Sequence, residues 1–486
     1  MQRFKSINGV QPAAVPAAGG RVLPTLNEDG SRRWIRPKPS SGRHWHRRRV
    51  AAYSLMLLFF AIPYIRFRDR PLVLLDIVRR EFTLIGTTFL PTDTLLFMLL
   101  LLSVVVSIFL LTALFGRVWC GWACPQTVYM EFLFRPVERL LEGGRSGSLA
   151  LDRAGGHLHP RRLLKYAIYF VLALFLAHTF LAYFVGVENL AVWVRRSPFE
   201  HPTSFLVMAG TTALIFFDFT YFREQTCIVA CPYGRWQSVL LDSQSLVVAY
   251  DYNRGEPRAK GREKAEGAGD CIDCNACVHT CPTGIDIRDG LQMECIHCTQ
   301  CIDACNDIMR KVNRPEGLIR YTTQDTLRGK GSNWLRPRVV LYPAALVLFL
   351  GAFVWAIASR AEAEITLLRG IGAPFAVGTD GRVSNQVRVK VVNRSRSAHD
   401  YHITVEGAPG IMVIAPENPL RVAAGAMATT SIFVLLASDE FTNGEREVMV
   451  RVASGATFGE SIPWRLAGPT GVNVPAAGGA ASGGGS

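Results

Sequence analysis

Residues 94–115, TLLFMLLLLSVVVSIFLLTALF, carry no charged side chain. In hydrocarbon every peptide group must be paired within the segment, so such a run must be a helix. About 20 residues rising 1.5 Å each cross the ~30 Å core of a bilayer. Four further apolar runs, 51–67, 163–186, 204–222 and 338–358, are near this length, and the fourth of the five carries Asp218. The expectation is a multi-domain membrane protein with about five transmembrane α-helices. The hydrophobic share of 49% and mean hydropathy of +0.19 reflect these runs.

Basic residues suggest the orientation. Arg43, Arg47, Arg48 and Arg49 precede the first run, and Arg117, Arg135, Arg139, Arg145, Arg153, Arg161 and Arg162 lie between the second and third. By the positive-inside tendency both regions face the cytoplasm. Five crossings then place 68–93 and 187–203 outside, 223–337 inside and the C-terminal region outside. Arg68, Arg70, Arg79 and Arg80 run against this bias. The first run lacks a small-residue cleavage site and reads as an anchor, not a removed signal peptide. The net charge of +14 is therefore mostly topogenic, and no nucleic-acid partner is expected.

All twelve cysteines lie between Cys120 and Cys305, on the expected cytoplasmic side or at that membrane edge. A secreted disulfide framework would be distributed the opposite way, so these are ligands or reactive thiols. Cys271, Cys274, Cys277 and Cys281, followed by Pro282, form C-x2-C-x2-C-x3-C-P. Cys295, Cys298, Cys301 and Cys305 repeat the spacing. Such a doubled run holds two 4Fe–4S clusters, the fourth cysteine of each run serving the other cluster. Cys271, Cys274, Cys277 and Cys305 are expected on one, and Cys295, Cys298, Cys301 and Cys281 on the other. Zinc knuckles also use C-x2-C, but the doubled eight-cysteine spacing disfavours them. Asn306 stands where a second proline would commonly follow.

Cys120/Cys124 and Cys227/Cys231 form two further Cys-x-x-x-Cys-Pro motifs, each closing an apolar helix in an apparent pseudo-repeat. At i,i+4 each pair is expected on one helix face. If helices two and four pack together, four thiols converge, a setting that suits a soft metal such as Cu(I). Small buried residues in a helix interface would give the same pattern. His44, His46, His157 and His159 read as interfacial or solvated. His178, inside the third helix, is a costlier placement. Asp218 and Glu224 flank the second pair.

The organisation expected is a disordered basic N-terminus (1–50), a four-helix membrane region (51–250), an inserted ferredoxin-like α+β domain (251–337) entered through a charged linker at 252–269, and a fifth transmembrane helix (338–358). Alternating strands such as Val387–Val391, Tyr401–Val405, Thr430–Val434 and Glu447–Val452 then indicate a small β-sandwich over 361–470. A Gly/Ala/Ser-rich flexible tail follows at 471–486.

With these residues in view, the chain resembles the FixG/RdxA/CcoG family of bacterial cytochrome oxidase accessory proteins. The likeness rests on VWCGWACPQTVYMEFLFRPVERLLEG, CIVACPYGRWQSVLLD, the doubled cluster motif and the order helices, ferredoxin, helix, β-domain. It implies a bacterial inner-membrane protein with its N-terminus and clusters cytoplasmic and an immunoglobulin-like domain in the periplasm. It implies reduction of Cu(II) to Cu(I) during assembly of a cbb3-type oxidase, with Cys120, Cys124, Cys227 and Cys231 handling copper. Partners would be oxidase subunits, a copper transporter or chaperone, and an electron donor; homo-oligomerisation stays open. No nucleotide or flavin motif is present, so the donor is expected to be separate. Two other readings compete: a quinol-linked electron-transfer subunit without a copper substrate, and a redox-sensing assembly scaffold.

Overall fold

The computed structural model describes residues 24–470 apart from Glu28, 68–69, 78–80, Gly86, 90–92, 156–158, 262–265, 332–335, Arg396 and 456–457. The expected flexible tail, His157 and the first 23 residues lie outside the described residues. The chain forms two compact units, Met1–Val354 and Trp355–Ser486.

In the first unit, α2 (Thr94–Phe115), α4 (Pro160–Val185), α5 (Pro202–Phe217, running on to Phe222 as a π-helical turn) and α8 (Pro337–Ala358) are long and apolar enough to cross a membrane. The expected first span is not among them. Helix α1 (Arg43–Ala61) begins among arginines and ends before Pro63, which sits in a 3-10 turn ahead of the strand Arg66–Phe67. Its apolar part covers only about 18 Å at 1.5 Å per residue. One face packs inward, with Ala52 and Met56 in a core shared with Val128, Tyr129, Phe132, Phe134, Tyr169, Leu176 and Phe219, while Val50, Tyr53, Leu57 and Leu58 are exposed. Leu95, Leu101 and Leu111 of α2 are exposed, as lipid-facing side chains would be.

The expected disorder of 1–50 is corrected over its described part. Ile35 is buried, the Lys38 N–H donates to His279 O at 2.9 Å, and Ser40 Oγ donates to Gln300 O at 3.0 Å. Asp303, on α7 (Gln300–Lys311), accepts the His44 and Trp45 N–H groups at 3.2 and 2.7 Å and so caps α1 from another element. Only glycine fits at 42, because a Cβ there would lie 2.3 Å from Asp303 Cγ. A composition that looks disordered in isolation is ordered by long-range partners.

Strand β1 (Val247–Tyr250) pairs antiparallel with β2 (Ile319–Thr322), bracketing all eight clustered cysteines. The ferredoxin-like part thus starts before the expected boundary at 251. The expected linker is also folded where described: Arg254 pairs with Asp270 at 2.6 Å, and Ala259 N–H donates to Cys271 O at 3.3 Å.

The second unit is an antiparallel sandwich. One sheet has the order β6 (Met412–Ile414), β8 (Met427–Ala437), β4 (Arg382–Asn393), β3 (Ala363–Arg369); the other runs β7 (Leu420–Val422), β5 (His399–Glu406), β9 (Glu445–Ser454), β10 (Phe458–Ala467). Alternate residues point inward, so Val387, Val389, Ile403, Ile432, Val434, Val450 and Val452 share one core. Buried Asn385 ties the sheets together, donating to Ala467 O at 2.9 Å and accepting from Ala467 N–H at 2.8 Å.

Ile432 is fully buried opposite Val387. Ile432→Ala should cost about 2–5 kcal/mol. Hydrogen exchange of the full chain should show the loss in the sandwich strands, with α2 and α4 unchanged.

Candidate functional site

The two cysteine loops share one backbone device. Asp273 and Asn275 flank Cys274, and His297 and Thr299 flank Cys298, with φ of +50°, +56°, +53° and +63°. Asp, Asn and His tolerate this left-handed region, whereas a β-branched Thr does so only under constraint. The two loops are therefore bent at equivalent positions.

Cys277, Cys281, Cys295, Cys298 and Cys301 line one cavity, with Val248, Ile285 and Ile287 as apolar walls. Cys305 feels Cys274 and Cys271, and Cys277 feels Cys305 and Cys274, whereas Cys295 feels Cys298 and Cys281. Cys301 feels Cys277 as well as Cys298, Cys295 and Cys281, so the thiols form one continuous cluster. Burial, reinforced by these neighbours, pushes Cys295, Cys277 and Cys305 to about 12. Backbone N–H groups of His297, Gln300 and Ile319 are directed at the sulfurs of Cys295, Cys298 and Cys305. Asn306 takes a role a proline could not, its Oδ1 accepting Gly317 N–H at 2.9 Å ahead of β2.

Two orphaned donors test whether an iron–sulfur group fits here. The Arg117 N–H donates to His297 Nδ1 at 3.1 Å, which leaves the ring proton on Nε2, and that atom is buried without a hydrogen-bond partner. Arg48 is 1% exposed, and its Nη1 and Nη2 are also unpartnered, although its charge is felt at Cys298. Buried donors need acceptors. Thiolate-bound sulfide clusters would supply them, so the residues fit the group.

The Cys-x-x-x-Cys-Pro motifs repeat in backbone as well as in sequence. Helix α2 ends at Gly116 (φ +59°, ψ −127°), and the α5 segment ends at Arg223 (φ +53°, ψ −121°), each four residues before a first cysteine. The second cysteines, Cys124 and Cys231, are extended and cap the helices opened by Pro125 and Pro232. The expectation that each pair shares one helix face is thus corrected. A residue before proline is driven out of the α region, so the chain kinks between the two thiols.

The four thiols influence one another, but not through packing of helix two on helix four, and among the described residues no three His, Cys, Asp or Glu side chains are grouped to hold a metal ion. Cys120 Sγ, on α3 (Val118–Trp122), donates to Gln237 Oε1 at 3.1 Å on α6 (Pro232–Leu240), the helix that follows Cys231. Cys227 feels Cys124, Cys120 and Cys231. Burial and then Cys124 push Cys120 to about 12, against Arg117.

Helix α3 lies directly on the second cysteine loop. A Cβ at Gly121 would stand 2.6 Å from Ile296 O and 2.8 Å from His297 O. Arg48 Nε donates to Gly121 O at 2.9 Å, and Trp122 Nε1 donates to the Tyr321 hydroxyl at 3.1 Å, which in turn donates to His297 O. Cys227 lines a second cavity with Pro282, Thr283 and Ile296, beside Cys281 and Cys295.

Sequence reasoning missed a buried ionic chain around this junction: Glu131–Arg135–Glu224–Arg223–Glu138–Arg36–Asp152–Arg162–Glu142–Lys165. Its members come from four separate stretches of sequence, so no local spacing announces it. Burial pushes the Glu131 carboxyl up, but Arg135, Arg139 and Arg48 override this and hold it at about 2. Of the other residues singled out, Asp218 accepts from Thr226, and His159 accepts the Arg161 N–H as cap of α4. His178 Nδ1 donates to Leu174 O at 2.8 Å, and His178 lines a separate cavity with His201 and Met208. His44 pairs with Asp303 at 3.0 Å, and His46 packs edge-on against Trp45.

Family patterns bear on the whole arrangement. One described as a 4Fe-4S dicluster domain matches residues 222–324, and a 4Fe-4S binding domain matches 97–143. One described as an IG-like fold at the C-terminal of FixG matches 353–466. Together with four membrane-length helices, they define an iron–sulfur electron-transfer protein of the membrane carrying an immunoglobulin-like domain. The nitrogen fixation protein FixG of Rhizobium meliloti is 33% identical over 424 residues, covering 78% of this chain and 80% of that protein. Proteins RdxA and RdxB of Cereibacter sphaeroides are 35% and 34% identical over 381 and 395 residues, each covering 74% of this chain and 80% and 81% of those proteins. The chain belongs to the FixG/RdxA family.

Glu131→Gln should leave Arg139 without its counter-charge and Arg135 with Glu224 alone, and cost about 3–5 kcal/mol at neutral pH. A carboxyl held below its unfolded value stabilises above about pH 4.5 and loses that contribution as pH falls toward 2. Unfolding midpoints of the two proteins should therefore differ most near pH 7 and converge as the medium is acidified.

Proposed function

We propose that this chain relays single electrons from a separate donor through two 4Fe–4S clusters to the four membrane-edge thiols, where Cu(II) is reduced to Cu(I) for assembly of a cbb3-type oxidase. One cluster is held by Cys271, Cys274, Cys277 and Cys305, and the other by Cys295, Cys298, Cys301 and Cys281. When bound, each supplies a one-electron carrier. The observation that carries the reading is the close seat of α3 on the 296–297 peptide. It sets the second ligand group against Cys120, while Cys227 shares a cavity with the residues next to Cys281 and Cys295.

The chain's own residues then have distinct tasks. Ile285, Ile287 and Val248 exclude water from the cysteine cavity, and Arg48 and Arg117 place positive charge beside the Cys298 and Cys295 thiols. Cys120, Cys124, Cys227 and Cys231 offer soft sulfur donors, which favour the cuprous state of their substrate ion. Each Cu(II) takes one electron and leaves as Cu(I). The copper substrate and the oxidase follow the family resemblance. The topology proposed with them has the N-terminus and clusters in the cytoplasm and the sandwich in the periplasm.

Replacing Cys120, Cys124, Cys227 and Cys231 together by Ser should abolish cupric reduction by purified protein and keep its iron–sulfur absorption and electron paramagnetic resonance. Normal Cu(II) reduction by that variant would refute the copper assignment. Cys281→Ser and Cys305→Ser should each perturb a different cluster signal and lose up to about half of the bound iron, because the fourth ligands are exchanged between runs.

A further inference from the structure

Beside the ionic chain lies a cavity of about 290 Å³ lined by Trp34, Arg36, Asp152, Arg162, Lys165, Tyr166, Thr220 and Arg223. Arg162, Lys165 and Arg223 are 2%, 4% and 3% exposed. Four cations but one carboxylate, Asp152, line it, and the other carboxylates pairing these cations are Glu138, Glu142 and Glu224. Asp152 is shared by Arg36 and Arg162, Glu138 by Arg36 and Arg223, and Glu142 by Arg162 and Lys165. Cations are in excess when the network is extended. Arg32, Arg135 and Arg139 bring the linked cations to seven, and Glu131 brings the linked carboxylates to five, among the described residues.

A buried uncompensated charge is strongly disfavoured. The cysteine groups do not answer it at this end of the chain. Their sulfurs are felt by Arg48 and Arg117, whereas the neighbours acting on Lys165 are Glu142, Arg36 and Arg223. Arg162 Nε and Arg223 Nε are, moreover, buried and make no hydrogen bond, facing Glu142 and Glu224 only at 3.5 and 3.8 Å. The cavity sits where α4 begins and the α5 segment ends, so it lies at one edge of the membrane-length helices. Trp34 and Tyr166 give it the aromatic walls common at that depth. We propose that this cavity binds a phosphate-bearing anion, held by Arg36, Arg162, Lys165 and Arg223. Guanidinium forks and an ammonium group suit tetrahedral oxyanions, and the chemistry is shared by a phospholipid headgroup and free phosphate.

The test uses full-length protein purified in detergent. Its thermal midpoint is followed against inorganic phosphate, with chloride at matched ionic strength as control, and its retained phospholipid is counted by native mass spectrometry. Saturable stabilisation by phosphate beyond chloride, or phospholipid retained through purification, supports the site. Lys165→Gln should weaken phosphate binding at least tenfold or remove the retained lipid. Asp152→Asn, which deletes one competing carboxylate and adds no bulk, should strengthen binding instead. This opposite response keeps the test decisive if the lysine variant folds poorly. Phosphate stabilisation without retained lipid assigns a soluble anion, and retained lipid lost in Lys165→Gln assigns a headgroup. No stabilisation beyond chloride, with equal lipid content in wild type and Asp152→Asn, would overturn the proposal.

Discussion

The seat of α3 on the second cysteine loop is the contact on which the functional geometry depends. Because Gly121 has no Cβ, two backbones approach at a distance no other residue would allow. Arg48 then reaches the Gly121 carbonyl from α1, and Trp122 reaches Tyr321 on β2. Helix, cysteine loop and sheet are thereby fixed to one another without a large apolar interface. A side chain at 121 would force the loop away from Cys120 before it disturbed any thiol.

The two Cys-x-x-x-Cys-Pro motifs are equivalent as backbone objects. The same φ and ψ recur at Gly116 and Arg223, and the same extended cysteine recurs before each proline. At Gly116 the positive φ costs little. At Arg223 it is imposed on a bulky residue, and the ion pairs of its guanidinium with Glu138 oppose the cost. The repeat thus holds its shape by two different means. That divergence is suited to a site in which one motif meets the cysteine loop and the other meets the ionic chain.

Much of the site could be read from spacing, because cysteine ligation is a local code. The eight clustered thiols and the four longest apolar helices follow from short-range pattern. So do the strands around Val389, Ile403, Ile432 and Val450. The kinks at Cys124 and Cys231 were also accessible, since a residue before proline resists the α region, but the i,i+4 spacing suggested a continuous helix. The length of α1 depended on Pro63 outweighing the apolar residues beyond it. The order in 24–42 and the ionic chain had no local signature. Arg36 meets Glu138, and Asp303 meets His44, across gaps of 102 and 259 residues, and only the folded chain brings such partners together.

Charge placement links these observations. Thiolate ligation would concentrate negative charge in the ferredoxin-like part, and Arg48, Arg117, Arg254 and Arg288 each lie close enough to a cysteine thiol to bias it. Of that set, Arg48 and Arg117 also reach the first kinked motif, Arg48 through the Gly121 carbonyl and Arg117 through Cys120. Such cations favour whichever side holds the added electron, and both sides feel them here. Arg117 is felt by Cys120 as well as by Cys295. On the proposed relay, a charge shared by the two sides would leave their relative energies little changed while stabilising both reduced forms. The cavity lined by Arg36, Arg162, Lys165 and Arg223 holds no cysteine, and so calls for an anion of its own.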